Sequence, residues 1–213
     1  MTVVARRPDQ PPEPTLCFTS SNLEDMVPHD EDLVVISFIT VGTRVHRVLI
    51  DQGSSADVMF WLTFNSWQCS PYQLRMYDGC LFGFTGDQVE VRGHVELMTT
   101  FSDGTLARTI NIRYIVVNVA SAYNLLLGKP SLNRLGAVAS MRHMKIKLPS
   151  LDGGVIIIKS DQKTSRKCYE SSLKSRREYT QSLFKRESQR TSCKLKSLAR
   201  SDLDLLMRFR KKK

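Results

Sequence analysis

The chain has 213 residues, 41% of them hydrophobic, and a net charge of +10. That size holds one domain with tails or two small domains, and that composition belongs to a globular protein rather than a disordered one. Through Ile158 there are 13 Lys/Arg against 15 Asp/Glu, and from Lys159 onward 18 against 6, so the basic excess sits in the C-terminal part and the near-neutral remainder has no reason to seek nucleic acid.

Taken in chain order, residues 1–31 read as a linker. Pro8, Pro11, Pro12 and Pro14 favour extended chain, and the acidic stretch from Asp25 to Asp32 is broken by Pro28. The start carries Arg6 and Arg7 but no apolar core of a signal peptide. No apolar run approaches the ~20 residues of a membrane span. A soluble, cytoplasmic protein without membrane contact is expected. Five cysteines (17, 69, 80, 168 and 193) fall in no C-x-x-C pair, so reduced thiols are the expectation.

From Leu33 the pattern turns β-branched. Leu33 to Val41, then Gly42-Thr43, then Arg44 to Ile50 read as a hairpin whose second arm ends in the apolar triplet Val48-Leu49-Ile50. Ser55 to Trp67 lacks Gly and Pro and predicts a short helix capped by Ser54 or Ser55. Strands are predicted at Cys80–Phe84, Gln88–Thr100, Ala107–Val119 and Tyr123–Leu127, and a second helix at Pro130–Val138. A last pair, Met144–Leu148 and Val155–Lys159, flanks the turn Asp152-Gly153-Gly154. Many short strands at close spacing imply an all-β barrel or sandwich with minor α content, over residues 32–159. Residues 160–213 are rich in Lys, Arg and Ser and read as a basic tail, disordered or weakly helical, with few contacts to the barrel.

The chemistry concentrates at Ile50-Asp51-Gln52-Gly53-Ser54-Ser55. A carboxylate directly after a buried strand is costly unless it is hydrogen-bonded or functional. Gly53 permits a sharp turn, and the Ser54 hydroxyl can donate to the carboxylate. Two such carboxylates in contact share one proton, one acting as base on a water while the other protonates the substrate. The chain supplies only one such segment. Asp152-Gly153-Gly154 follows no buried strand and reads as a hairpin turn, so the second Asp51 would have to come from a second copy. From these residues alone, an Asx-turn that simply ends a strand explains Asp51 as well. Asp57 reads as a cap at a helix start. His29, His46, His94 and His143 are scattered, with His46 and His94 on strands as exposed residues, and no metal-ligand cluster stands out.

Three ordered stretches resemble the retropepsin-like region of gag–pol polyproteins of plant Gypsy-class LTR retrotransposons. They are Val48 to Asp57, Tyr77 to Gly86 and Tyr123 to Leu132, within a similarity running from about Phe18 to Leu173. The resemblance implies a closed β-barrel of the acid-protease type and a homodimeric aspartic endopeptidase that cleaves a polyprotein, without cofactor or metal. It implies that Asp51 is the catalytic aspartate, with Gln52, Gly53 and Ser54 in its loop. The Gly83–Gly93 hairpin, with Gly83, Phe84, Thr85 and Gly86, corresponds to a substrate-covering flap, and Leu126, Leu127 and Gly128 to the element behind the loop. Gln52 departs from the Thr or Ser usual beside the aspartate. Two alternatives stand beside this reading: the same fold acting without catalysis as a dimerisation or peptide-binding module, and a nucleic-acid-associated protein acting through its basic tail.

Overall fold

In the computed structural model, the residues described are 14–23, 32–67, 73–83, 86 and 88–173. The chain divides into two compact units, Met1–Ser171 and Ser172–Lys213; of the second, only residues 172 and 173 are described.

The barrel starts from a hairpin. Strand β1 (Val35–Thr40) pairs with β2 (Thr43–Ile50) through a turn in which Val41 and Gly42 both have positive φ, 48° and 72°. That turn twists with its strands, and it costs strain at Val41, a β-branched residue. The register slips between Ile36 and Phe38, where Arg47 also adopts a positive φ of 58°. Asn124 holds this bulge: its amide N–H donates to the Arg47 carbonyl (3.0 Å) and its side chain to the His46 carbonyl (2.8 Å).

Beyond the bulge, β2 runs parallel to β8 (Leu125–Leu127), pairing Val48, Leu49 and Ile50 with Leu125, Leu126 and Leu127. Strand β3 (Asp57–Phe60) lies on the other side of β8, antiparallel to it, and parallel to β7 (Ala107–Val117). The long β6 (Val91–Ser102) pairs with β7 and then with β1, which closes the barrel in the order β1-β2-β8-β3-β7-β6. The fold is therefore mostly β, with a closed barrel and short helices, as the spacing of strands implies. Its core is filled by Ile36, Phe38, Val48, Ile50, Met59, Ile112, Tyr114, Leu125 and Leu127. Each such side chain contributes roughly 1.5–3 kcal/mol when fully buried.

The segment predicted as one helix over Ser55–Trp67 divides in two. Its first part is β3, and only Trp61–Ser66 forms a helix, α1, whose N-cap is Phe60 without a side-chain cap. Val58 and Met59 are buried between two neighbouring strands, and this pairing outweighs the helical reading of a Gly-free stretch. Helix α2 (Lys129–Leu135) starts with Pro130 in its first turn and stops at Gly136, whose φ is 58°. It leads into the sheet of β9 (Val138–Ser140), β10 (Lys145–Pro149) and β11 (Val155–Lys159). Gly153, with φ 82°, lies in the β10–β11 turn, so Asp152-Gly153-Gly154 is a hairpin connection.

Two terminal expectations change. Residues 14–23, read as linker, pack on β10: Lys147 Nζ donates to the Cys17 carbonyl (2.7 Å) and to Asn22 Oδ1 (3.0 Å), Lys145 Nζ donates to the Asn22 carbonyl (2.5 Å), and Phe18 stacks on His143. The rest of the 1–31 segment lies outside the described residues. At the other end, residues 162–173 are helical (α3). Ser165 is buried and donates to the Leu33 carbonyl (2.6 Å), and Arg166 pairs with Asp32 at 3.0 Å. Few contacts with the barrel were expected after Ser160, and this fails for 160–168. The physical reason is local: Asp161 caps the helix, accepting from the Thr164 amide (3.0 Å) and hydroxyl (2.6 Å), which holds its carboxyl below the usual carboxylate range. Residues 174–213 lie outside the described residues. No helix among the described residues is long and apolar enough to cross a membrane.

Candidate active site

The two strands that flank β8, β2 and β3, are joined by residues 51–56, so this loop arches over the C-terminal end of β8. Asp51 is its first residue, half-buried at the end of β2. Its amide continues the parallel ladder by donating to the Leu127 carbonyl (3.0 Å). Its carboxylate Oδ1 accepts from the amides of Gly53 (2.9 Å) and Ser54 (3.2 Å). Oδ2 takes no hydrogen bond from the described residues. One oxygen is thus pinned by backbone donors and the other is open for a water or a second carboxyl.

Ser54 does not act as the sequence suggests. Its hydroxyl donates to the Ala56 carbonyl (2.8 Å), not to Asp51, and only its amide reaches the carboxylate. The turn of the loop brings the backbone N–H within reach and sends the side chain forward along the chain. Gln52 is exposed, and its Nε2 donates to the Ala139 carbonyl on β9 (3.1 Å). The residue that departs from the usual Thr or Ser is therefore engaged within its own chain.

Behind the loop, Gly128 is wedged against backbone. A Cβ there would stand 2.2 Å from the Ala56 carbonyl oxygen and 3.0 Å from that of Ser54. The next residue, Lys129, donates its amide to the Ser54 carbonyl (2.9 Å). Leu126 and Leu127 belong to β8, with Leu127 buried in the core. These contacts bring Asp51, Gly53, Ser54, Leu127 and Gly128 into one assembly.

Asp57 was missed as part of that assembly. It is buried on β3, where Oδ1 accepts from the Gly128 amide (2.7 Å) and Oδ2 from the Ser131 hydroxyl (2.7 Å). It does cap a helix start, but that of α2, seventy-odd positions along the chain, and not a helix beginning at its own position. Burial pushes its carboxyl above the usual range, against the opposing pull of Ser131, Gly128 and Arg134. The available signal was an acid within the apolar run Ala56-Asp57-Val58-Met59; its partner could not be read from local sequence.

A hairpin of β4 (Leu81–Phe82) and β5 (Gln88–Val89) overlaps in sequence the Gly83–Gly93 segment expected as a flap. Gly83 accepts through its carbonyl from the Gly86 amide (3.0 Å), and Gly86 has φ 83°. Phe84 and Thr85 lie outside the described residues. At the base, Gly93 sits in a bulge of β6 with φ 148°, against the Arg75 carbonyl. His46 is exposed as expected, whereas His94 is half-buried, bridged to Arg75 through the backbone and edge-on to Tyr77.

No family model matches the sequence, and no curated protein matches it significantly. Solved structures do resemble it. The retroviral protease-like domain of Ddi1 from Leishmania major is 14% identical, with a TM-score of 0.46, covering 61% of this chain and 94% of that one. The EIAV protease complexed with the inhibitor HBY-793 is 23% identical, with a TM-score of 0.41, covering 54% and 99%. A retropepsin-like aspartic protease from Rickettsia conorii is 13% identical, with a TM-score of 0.36, covering 58% and 80%.

Proposed function

We propose that the chain is an aspartic endopeptidase whose active site is completed by a second copy of itself. The observation that carries this reading is the state of Asp51: one carboxylate oxygen held by two backbone amides, the other open, in a glycine-containing loop after a buried strand. A single ionised carboxylate of this kind can accept a proton from water but cannot protonate the substrate carbonyl in the same step. Two of them in contact cannot both ionise, so one holds a proton and serves as the acid. The base removes a proton from a water, which attacks the scissile carbonyl. The acid protonates the carbonyl oxygen and, with the roles exchanged, a proton reaches the leaving nitrogen.

The substrate class is polypeptide, and the β4–β5 hairpin is the segment that would close over it. A retrotransposon polyprotein as that substrate, and an origin in plant Gypsy-class elements, rest on the sequence resemblance. Any nucleic-acid contact is assigned to the basic residues after Lys159. The test is turnover of a mixed peptide library at mildly acidic pH, with Asp51→Asn as the control. Asn keeps the shape but cannot take the proton, so turnover is expected to vanish.

Gln52 favours a second reading, the same fold without catalysis, because its amide is drawn towards β9. Gln52→Thr separates the two. If Gln52 loosens the pairing of copies, Thr strengthens association and raises turnover; if both fall, Gln52 is a working part of the loop.

A further inference from the structure

We infer that Asp57 is a positioning residue for Asp51: its carboxylate clamps Gly128 and Ser131, and through them fixes the backbone against which the Asp51 loop rests. The inference rests on the proposed peptidase reading for its consequence in catalysis, but not for the physical coupling itself.

The chain of contacts is short. Asp57 Oδ1 accepts from the Gly128 amide and Oδ2 from the Ser131 hydroxyl, each at 2.7 Å, inside the protein. Gly128 abuts the carbonyls of Ala56 and Ser54, and the Lys129 amide donates to Ser54. Ser54 in turn supplies one of the two amides that hold Asp51 Oδ1. From Asp57 to Asp51, each step is a hydrogen bond or a backbone contact with no slack.

The clamp has two states. The ionised carboxylate accepts from both donors, and charge strengthens both bonds. Once protonated, it must place its own O–H. Ser131 can receive it by turning its hydroxyl from donor to acceptor, which leaves the Gly128 amide bonded to a neutral oxygen. Ionisation therefore tightens the hold on Gly128 while incurring the desolvation that raises the carboxyl's pKa. The charged or titratable groups facing Asp57 are few. Tyr114 on β7 is its parallel neighbour and is itself pushed up by burial; Lys129 and Arg134 lie on α2; β8 and α1 contribute none.

The experiment uses the full chain carrying Asp51→Asn, so that Asp51 does not titrate, followed by NMR through the acidic range. The amide signals of Gly53, Ser54 and Gly128 are expected to share one midpoint with the Asp57 carboxyl carbon, and to be flat in Asp51→Asn/Asp57→Asn. If Gly128 follows Asp57 while Gly53 and Ser54 stay flat, the clamp does not reach the loop and the inference is overturned. The single variant decides this even if the double variant does not fold. In the otherwise wild-type chain, Asp57→Asn is expected to remove one ionisation from the pH profile of kcat, with KM moved less. A profile identical to wild type overturns the positioning role. A wild-type chain with no turnover removes the peptidase reading and leaves the NMR result to decide the coupling.

Discussion

The amides of Gly53 and Ser54 hold one oxygen of Asp51, so the loop backbone sets where its carboxylate stands. The D-x-G-S segment was legible because three cues converge there: an apolar triplet, an acid and a glycine. The roles within it were less so. Ser54 bonds through its amide and not its hydroxyl, because the direction of a side chain in a turn depends on dihedrals that composition does not specify. Gly128 was recognised through its resemblance, and its physical reason is the Ala56 carbonyl 2.2 Å from where a Cβ would stand. Backbone cannot yield as a flexible side chain can, so Gly128→Ala is expected to cost about 1–3 kcal/mol. Urea melts check this, and a loss of turnover larger than the loss of folded protein should accompany it.

The pH response of stability also belongs to this scale. Asp57 has its folded-state pKa raised by burial. A raised pKa means that the folded state holds the proton more tightly than the unfolded state. Its favourable contribution is complete below the unfolded value and is lost as pH rises through the folded one. Asp57→Asn, which carries no charge at either end of that window, is expected to flatten this part of the curve. Thermal melts of the two proteins across the acidic to neutral range make the comparison; parallel curves would contradict it.

Among the elements, strands were more legible than helices. Alternation in β6 and the apolar run in β2 gave strand positions within a few residues, since burial on one or both faces leaves a period in the sequence. Strand β3 was hidden because its apolar residues also suit a helix. Only its neighbours β7 and β8 decide the matter, and those pairings are long-range. Helix α3, expected only as part of a tail disordered or weakly helical, was faint for the opposite reason. Its surroundings are basic and polar, and its buried positions are Ser165 and Cys168, small residues that carry little hydrophobic signal. The local cue was Asp161 followed three residues later by Thr164. This helix covers Asp32, whose side chain is 2% exposed and bonded to Arg166. Ending the chain after Ser160 is therefore expected to lower the thermal midpoint by roughly 4–8 °C, on the order of 2 kcal/mol for a domain of this size. An unchanged midpoint would mean that α3 adds nothing to the barrel.

On the scale of the whole molecule, the strand order bears on why the proposed reaction calls for a second copy. β2 and β3 straddle β8, and among the described residues the loop that joins them carries a single acid, Asp51. The second D-x-G lies in the β10–β11 turn, where Gly153 has φ 82° and Asp152 is exposed, past the end of the buried β10 rather than directly at it. The proposed reaction therefore depends on association, and association depends on concentration. The most direct measurement is peptidase activity per mole of chain over a dilution series at mildly acidic pH, wild type beside Asp51→Asn. Activity per mole is expected to fall on dilution for wild type and to be absent from Asp51→Asn throughout. Turnover retained by Asp51→Asn, activity per mole that ignores dilution, or no turnover from wild type at any concentration would contradict a dimeric aspartic peptidase built on Asp51.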